Sequence, residues 1–428
     1  MKIFPTIKNC IAGSVLTDNI PMVVENEFIS INGTCSSGKK SSNLSLDENM
    51  LHRGIMLEGA TGTGKTETAL KIVRQIRNNL EVPYSMIIVD VKNDYQGCLF
   101  RTDDKILGQG EFRDTSERWN IFKDILIDGW DDWIVELNAY EFVQWLFKDH
   151  KNETQPFWTN AAQLLLYCTI ITLIKRSRNS LRARKALTNK GLRDFFAQFS
   201  PEQYVKLMED CSEPGTVRML LGNDIDNLQA LGVIGEAVTT VLTLFVDVFG
   251  DEGDFSIRSF VRNKNNQAIF LKYDPAYKET QQKLFGLLVN LMLKEVLSYG
   301  NTEGNVVFLC DELPSIGKVD LASAINMGRA KGFICMAGFQ SIEQVYSVYG
   351  EVEGNALLAG FCTKLLFAPN DIRTRKYIQD LFGGNLVEYI TLSPGGSITR
   401  KQNGHVIEDY DMNSLDTGDC ICSLIGQQ

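Results

Sequence analysis

Residues 59–66 read Gly59-Ala60-Thr61-Gly62-Thr63-Gly64-Lys65-Thr66, the spacing GxxxxGK[ST]. Glycines let backbone N–H groups close around phosphate oxygens, and a helix that opens at the lysine adds positive partial charge. Lys65 then reaches the β- and γ-phosphates, and the Thr66 hydroxyl offers an oxygen to Mg²⁺. The motif has meaning only between a strand and a helix. Here apolar Ile55–Leu57 precedes it and helix-patterned Glu67–Leu80 follows. The eight residues, with Thr68 beyond them, are candidate contacts for ATP and Mg²⁺.

Hydrolysis needs a second metal ligand and a group to activate water. Val306-Val-Phe-Leu-Cys-Asp311-Glu312 offers both at the end of an apolar strand. Asp311 would hold Mg²⁺, and Glu312 would orient or deprotonate the water. Gln340 ends the next apolar run, Phe333 to Phe339. In a parallel sheet the C-terminal strand ends line one crevice, so Gln340 would reach the γ-phosphate side; the bland alternative is a helix cap. Arg329, in Met-Gly-Arg-Ala-Lys-Gly, is a candidate for a neighbouring subunit's nucleotide. Such a finger raises turnover by roughly a thousand- to a hundred-thousand-fold. From the residues alone, an arginine complementing a helix C-terminus is the stronger alternative. Arg373 and Arg375 are weaker candidates for the same task.

These residues need a scaffold. From residue 51, apolar runs such as Met86–Val89, Ala268–Leu271, Val306–Cys310 and Lys364–Phe367 alternate with helical segments such as Gln281–Leu297 and Ser341–Tyr349. That alternation reads as α/β, with a central mostly parallel sheet. Residues 131–250 show helical periodicity, as at Phe157, Ala161, Leu164, Leu165 and Cys168, and read as an all-α insertion. The nucleotide-binding domain then occupies 51–130 and 251–428, with a small N-terminal β region at 1–50 packed on the core.

With 44% hydrophobic and 22% charged residues, the 428-residue chain has an ordinary globular composition. The net charge of −10 disfavours nonspecific coating of nucleic acid. A channel needs only local cations, however, and Lys175, Arg176, Arg178, Arg182, Arg184, Lys185, Lys190 and Arg193 form one basic run free of acids within it. It reads either as a phosphate-contacting surface or as a solvated helical hairpin. The longest apolar run, Leu164–Ile174, is shorter than the roughly 18–20 residues of a bilayer span. The start, MKIFPTIKNCIAG, lacks a signal's apolar core. Ten scattered cysteines read as reduced thiols of a cytoplasmic protein, Cys420 and Cys422 among them as buried strand residues.

In their order and spacing, several segments resemble the type IV coupling proteins of the TraD/TraG/TrwB type. They are Gly59 to Thr66; Ile88-Val-Asp-Val-Lys-Asn-Asp-Tyr; Arg118-Trp-Asn-Ile-Phe; Pro156-Phe-Trp-Thr-Asn-Ala-Ala; Phe255-Ser-Ile-Arg; Asp311-Glu-Leu-Pro-Ser-Ile-Gly-Lys; Gly328-Arg-Ala-Lys-Gly; Gly338-Phe-Gln-Ser; and Phe367-Ala-Pro-Asn-Asp. The resemblance implies a RecA-like P-loop NTPase core with an inserted all-α domain. It also implies six subunits with ATP at their interfaces and Arg329 acting in trans. Asp90 and Lys92 fall on one motif without an assigned chemical role. Members of that family carry an N-terminal membrane anchor, which this sequence does not show.

The expectation is an ATP-driven DNA translocase that delivers DNA or nucleoprotein to a type IV secretion or conjugation channel. It would work as a homo-oligomer, hexameric by resemblance. It would be cytoplasmic or peripheral to the inner membrane, with a membrane-anchor subunit, relaxase or secretion-channel proteins as partners. The alternatives are a receptor ATPase for protein substrates and a soluble FtsK/HerA-like DNA motor outside secretion. A non-translocating nucleotide switch is a third, which Glu312 argues against.

Overall fold

A computed structural model describes residues 6–16, 26–34, 41–147, 156–198, 215, 228–300, 303–393 and 396–424. Eight strands belong to one mostly parallel sheet of an α/β fold. The chain forms two compact units, Met1–Glu81 with Phe308–Pro314 and Ile334–Gln428, and Val82–Val307 with Ser315–Phe333.

In the first unit the strands lie in the order Ile421–Ser423, Thr363–Leu366, Ile55–Glu58, Phe333–Phe339. The first pair is antiparallel and the others are parallel. Strand Ile55–Glu58 has no exposed face, as a strand covered on both sides requires. Register places Leu366, Glu58 and Phe339 side by side, so three strands end together at one edge. The N-terminal β segments take two routes. Hairpin Ile29–Thr34 and Ser41–Leu46 lies on helix Lys65–Asn79, where Gln75 exchanges two 2.9 Å hydrogen bonds with the Ser30 backbone. Strand Thr6–Gly13 instead pairs with Gly384–Ser393, which pairs in turn with Gly396–His405. The N-terminal β segments thus pack on the rest of the chain by two separate routes.

In the second unit Tyr84–Asp90, Gln267–Lys272 and Lys105–Gly108 pair in parallel. Its helices include Asp132–Leu146, Pro156–Arg178, Asn189–Ala197, Leu228–Leu244, Ile257–Asn263 and Lys278–Leu297. Helix Pro156–Arg178 extends well beyond the apolar run at its centre. By length and composition, Phe157–Arg178 is able to cross a membrane, yet 67% of its most apolar window is buried in the fold.

Two sequence motifs meet at a buried ionic cluster in this unit. Phe255 N donates to Arg118 O at 3.0 Å and Asn120 N to Phe255 O at 2.8 Å. The Trp119 indole and the Ser256 hydroxyl donate to Asp124 at 2.6 and 2.5 Å. Arg258, 2% exposed, donates at 3.0 Å to Asp124 O, Asp128 and Glu295. Arg262 donates to Glu295 and Asp128 at 2.7 and 2.6 Å. Burial raises the Asp124 carboxyl above its usual range, against donors from Ser256 and Trp119. Burial acts the same way on Asp128, but Arg262, Asn138 and Arg258 outweigh it and hold that group at about 2.

Candidate active site

The P-loop follows the buried strand at Glu58. Gly59, Gly62 and Gly64 take φ of 149°, 81° and 108°, values that β-carbon-bearing residues rarely adopt. At Gly59 a β-carbon would also stand 2.6 Å from the Phe367 β-carbon. Helix Lys65–Asn79 then begins with Lys65 buried. The Lys65 ammonium donates to Ala60 O at 2.8 Å and to Gly59 O. Thr63 Oγ1 donates to Ala60 O at 2.8 Å. Two neighbouring segments fix the loop. Ala60 N donates to Ala368 O at 3.0 Å, and Gly418 N donates to Thr63 O at 2.9 Å. Thr68 joins through its backbone alone, donating to Gly64 O at 3.1 Å.

Strand Asn305–Cys310 delivers Asp311 and Glu312 to the same place. The Thr66 hydroxyl donates to Asp311 Oδ2 at 2.7 Å. Asp311 Oδ1 is buried and has no hydrogen-bond partner among the described residues. Gly338 allows this approach, since a β-carbon there would lie 2.2 Å from Asp311 O. Gln340 Nε2 donates to Glu312 Oε2, and Thr61 Oγ1 donates to Gln340 Oε1 at 3.3 Å. Thr61, Thr66, Asp311, Glu312 and Gln340 thus form one constellation. An alcohol beside a carboxylate with an unsatisfied oxygen is a hard-oxygen donor set suited to Mg²⁺. The loop glycines and Lys65 suit a polyphosphate.

Arg329 belongs to the other unit. It opens the turn Arg329–Lys331 and is exposed. Arg373 is paired with Glu343 at 2.9 Å and lies 5.3 Å over the Tyr346 ring. Arg375 is half-buried on the same helix, Ile372–Phe382. Asp90 has a structural task. It accepts from the N–H groups of Asp94, Tyr95 and Gln96 and from Lys272 at 2.7 Å. Lys92 is exposed.

Sequence reasoning named Phe367 only as part of a family-like segment and missed Glu58 and Gly418. Phe367 and Glu58 stand at strand ends, a signal that was available. Gly418 is far along the chain, and nothing local marks it. Glu58 is fully buried with both carboxylate oxygens unpartnered among the described residues. Burial raises it well above the usual carboxylate range, Lys65 opposes this, and Asp371 adds to it.

The basic run is less free than its sequence suggests, because acids outside it pair with its cations. Lys175 pairs with Glu136 at 3.3 Å, Arg178 with Asp132 at 2.6 Å and Lys190 with Asp194 at 2.8 Å. Arg184 stacks 5.1 Å over Trp130. Arg182 and Lys185 are exposed. Cys420 and Cys422 are half-buried, not buried as expected, because strand Ile421–Ser423, which Cys420 precedes and Cys422 occupies, stands at the sheet's end.

The family model of the type IV secretion-system coupling protein DNA-binding domain matches residues 39–406. Among solved structures, the conjugative coupling protein TrwBΔN70 with sulphate is 19% identical, with 100% of this chain and 94% of that chain covered and a TM-score of 0.74. TrwB with ADP and Mg²⁺ is 18% identical, covering 100% and 94%, at a TM-score of 0.72. TrwB with the ATP analogue ADPNP is 19% identical, covering 100% and 92%, at 0.72. No curated protein matches. At these identities the structures establish a shared fold, and the match over most of the length establishes descent: the chain belongs to the type IV secretion-system coupling protein family.

Proposed function

We propose that the chain is an ATPase whose hydrolysis moves DNA toward a secretion or conjugation channel. The observation that carries this is the convergence of Thr66, Asp311, Glu312 and Gln340 beside the P-loop. The TrwB structures holding ADP with Mg²⁺ and ADPNP support the choice of nucleotide. The family's description supports DNA as the track.

The nucleotide supplies the phosphoanhydride bond. Lys65 and the loop N–H groups bind and orient its phosphates, and Thr66 with Asp311 holds the cation. Glu312 accepts the proton of the attacking water. Gln340, bonded to both Glu312 and Thr61, keeps that carboxylate aimed and connects it to the loop. Arg329 is the candidate trans-acting cation in a homo-oligomer, supported by its exposure. We also infer a domain division of a β region to residue 50, nucleotide-binding parts at 51–130 and 251–428, and an all-α insertion at 131–250. The described helices between Asp132 and Leu244 support it.

The test is the steady-state ATPase rate at low salt, with and without single- and double-stranded DNA, for the parent, Lys65→Ala and Arg329→Ala. DNA stimulation abolished in both variants is expected. Robust hydrolysis indifferent to DNA would remove the translocase reading and favour a receptor for protein substrates.

A further inference from the structure

The segment that touches the P-loop through Gly418 leads directly into two cysteines. Asp416–Asp419 closes on itself, with Asp416 N donating to Asp419 Oδ2 and Asp419 N to Asp416 O, both at 3.0 Å. Gly418 N holds Thr63 O at 2.9 Å, and a β-carbon on Gly64 would stand 3.3 Å from the Gly418 α-carbon. Beyond it, Cys420 immediately precedes strand Ile421–Ser423 and Cys422 lies on it, with their sulfurs 3.7 Å apart. Both cysteines are half-buried, so small reagents have access.

We propose that Cys420 and Cys422 are a redox modification site, and that their reversible disulfide lifts the 416–419 loop from the P-loop and weakens nucleotide binding. The regulatory half rests on the nucleotide reading of the P-loop; the disulfide does not.

Geometry supplies the coupling. A disulfide needs its sulfurs about 2.05 Å apart and its β-carbons about 3.8 Å apart, closer than an extended strand allows for residues two apart. Closing the bond therefore bends the strand at Ile421. That residue pairs with Leu366, the strand end beside the P-loop neighbour Phe367. The bend is transmitted within three residues to Gly418, whose hydrogen bond to Thr63 is the contact at risk.

The chemistry balances with a small-molecule disulfide as oxidant. The Cys420 thiolate attacks one sulfur of the reagent, forming a mixed disulfide and releasing one thiolate. Cys422 loses its proton and attacks the Cys420 sulfur, forming the intramolecular bond and releasing the second. Two protein thiols are oxidised, the reagent is reduced to two thiols, and the protein loses two hydrogens. Donation from Cys422 holds the Cys420 thiol below its ordinary range, which favours Cys420 as the first nucleophile. Cys422 is correspondingly pushed up by that hydrogen bond and by burial.

The test treats the full chain with oxidised glutathione and then with dithiothreitol. Peptide mass mapping, hydrogen exchange over 59–66 and MgADP affinity are measured on the parent, Cys420→Ser and Cys422→Ser. Expected are an intramolecular bond in the 420–422 peptide with loss of two hydrogens, faster exchange over 59–66, and an affinity loss of about tenfold, one hydrogen bond's worth. Dithiothreitol reverses all three, and neither serine variant shows them. Stable mixed disulfides without ring closure, or ring closure with unchanged exchange, would overturn the proposal. If the reduced parent binds no MgADP, the nucleotide reading falls and with it the regulatory half. Mapping and exchange still decide whether the dithiol closes and moves the loop.

Discussion

The Thr66 hydroxyl donates to Asp311 Oδ2 over 2.7 Å while Asp311 Oδ1 stays buried and unpartnered among the described residues. One carboxylate is thus oriented by the P-loop helix with an oxygen in reserve for a cation. Asp311→Asn keeps the shape and removes the charge. Its MgADP affinity is expected to fall by about ten- to a hundred-fold, the range for hydrogen bonds to charged groups, with metal-free ADP affinity unchanged. Calorimetry with and without Mg²⁺ checks this, and equal losses in both conditions would remove the cation role.

In the proposed mechanism Glu312 acts on water and Gln340, which donates to Glu312 Oε2, acts on Glu312. Glu312→Gln is expected to lower kcat by about a hundred- to ten-thousand-fold, with MgADP affinity unchanged. Gln340→Ala should lower kcat less, because the base survives and loses only its aim. Single-turnover hydrolysis read beside equilibrium binding separates these effects. A Gln340 variant as inactive as the Glu312 variant would place Gln340 on the reacting atoms.

Arg258 is the centre of the buried ionic cluster. Removing it leaves Glu295, which is 0% exposed, with part of its compensation gone. Arg258→Ala is expected to cost about 3–5 kcal/mol, as when one partner of a buried pair is removed. Urea unfolding measures it. A loss under about 1 kcal/mol, the scale of exposed pairs, would show that the cluster is solvated.

The pH dependence of stability has two signatures of opposite sign. Burial raises Glu58 above its ordinary 4.5, so folding takes up a proton above that pH. Its contribution is full below about 4.5 and declines as pH rises toward the folded value. Glu58→Gln cannot titrate, so its melting temperature relative to the parent should climb from pH 4.5 to 8. A constant difference would mean that Lys65 keeps Glu58 ionised throughout. Asp128 behaves in reverse. Held at about 2 against an ordinary 3.8, it stabilises fully above 3.8, and this is lost as pH falls through about 2.

The placement of the candidate site residues was the most legible part of the sequence. Gly59 to Thr66, Asp311, Glu312 and Gln340 each end or follow a buried strand, and fully apolar strands are the strongest local signal in a parallel sheet. Pairing across long separations left no such mark. Nothing in Thr6–Gly13 announces a partner at Gly384–Ser393, because alternation gives a strand its face and not its neighbour. Helical periodicity from Phe157 marked helix Pro156–Arg178, while its apolar run began only at Leu164 because polar Thr159 and Gln163, both buried, precede it. The basic run misled for a related reason. The acids that pair with Lys175 and Arg178 lie on Asp132–Leu146, where spacing along the run does not reach, while Asp194, just past the run, pairs with Lys190.

The turn that carries Arg329 is held from both sides. Lys331 donates to Leu297 O and Ser298 O at 2.7 and 2.9 Å and lies 5.1 Å over the Tyr299 ring. Gly332 sits so close to Gly304 that a β-carbon would fall 2.3 Å from its carbonyl oxygen. Arg329 is therefore mounted on a post rather than a swinging arm. The reach of its guanidinium is set by its own side chain and not by movement of the turn that bears it.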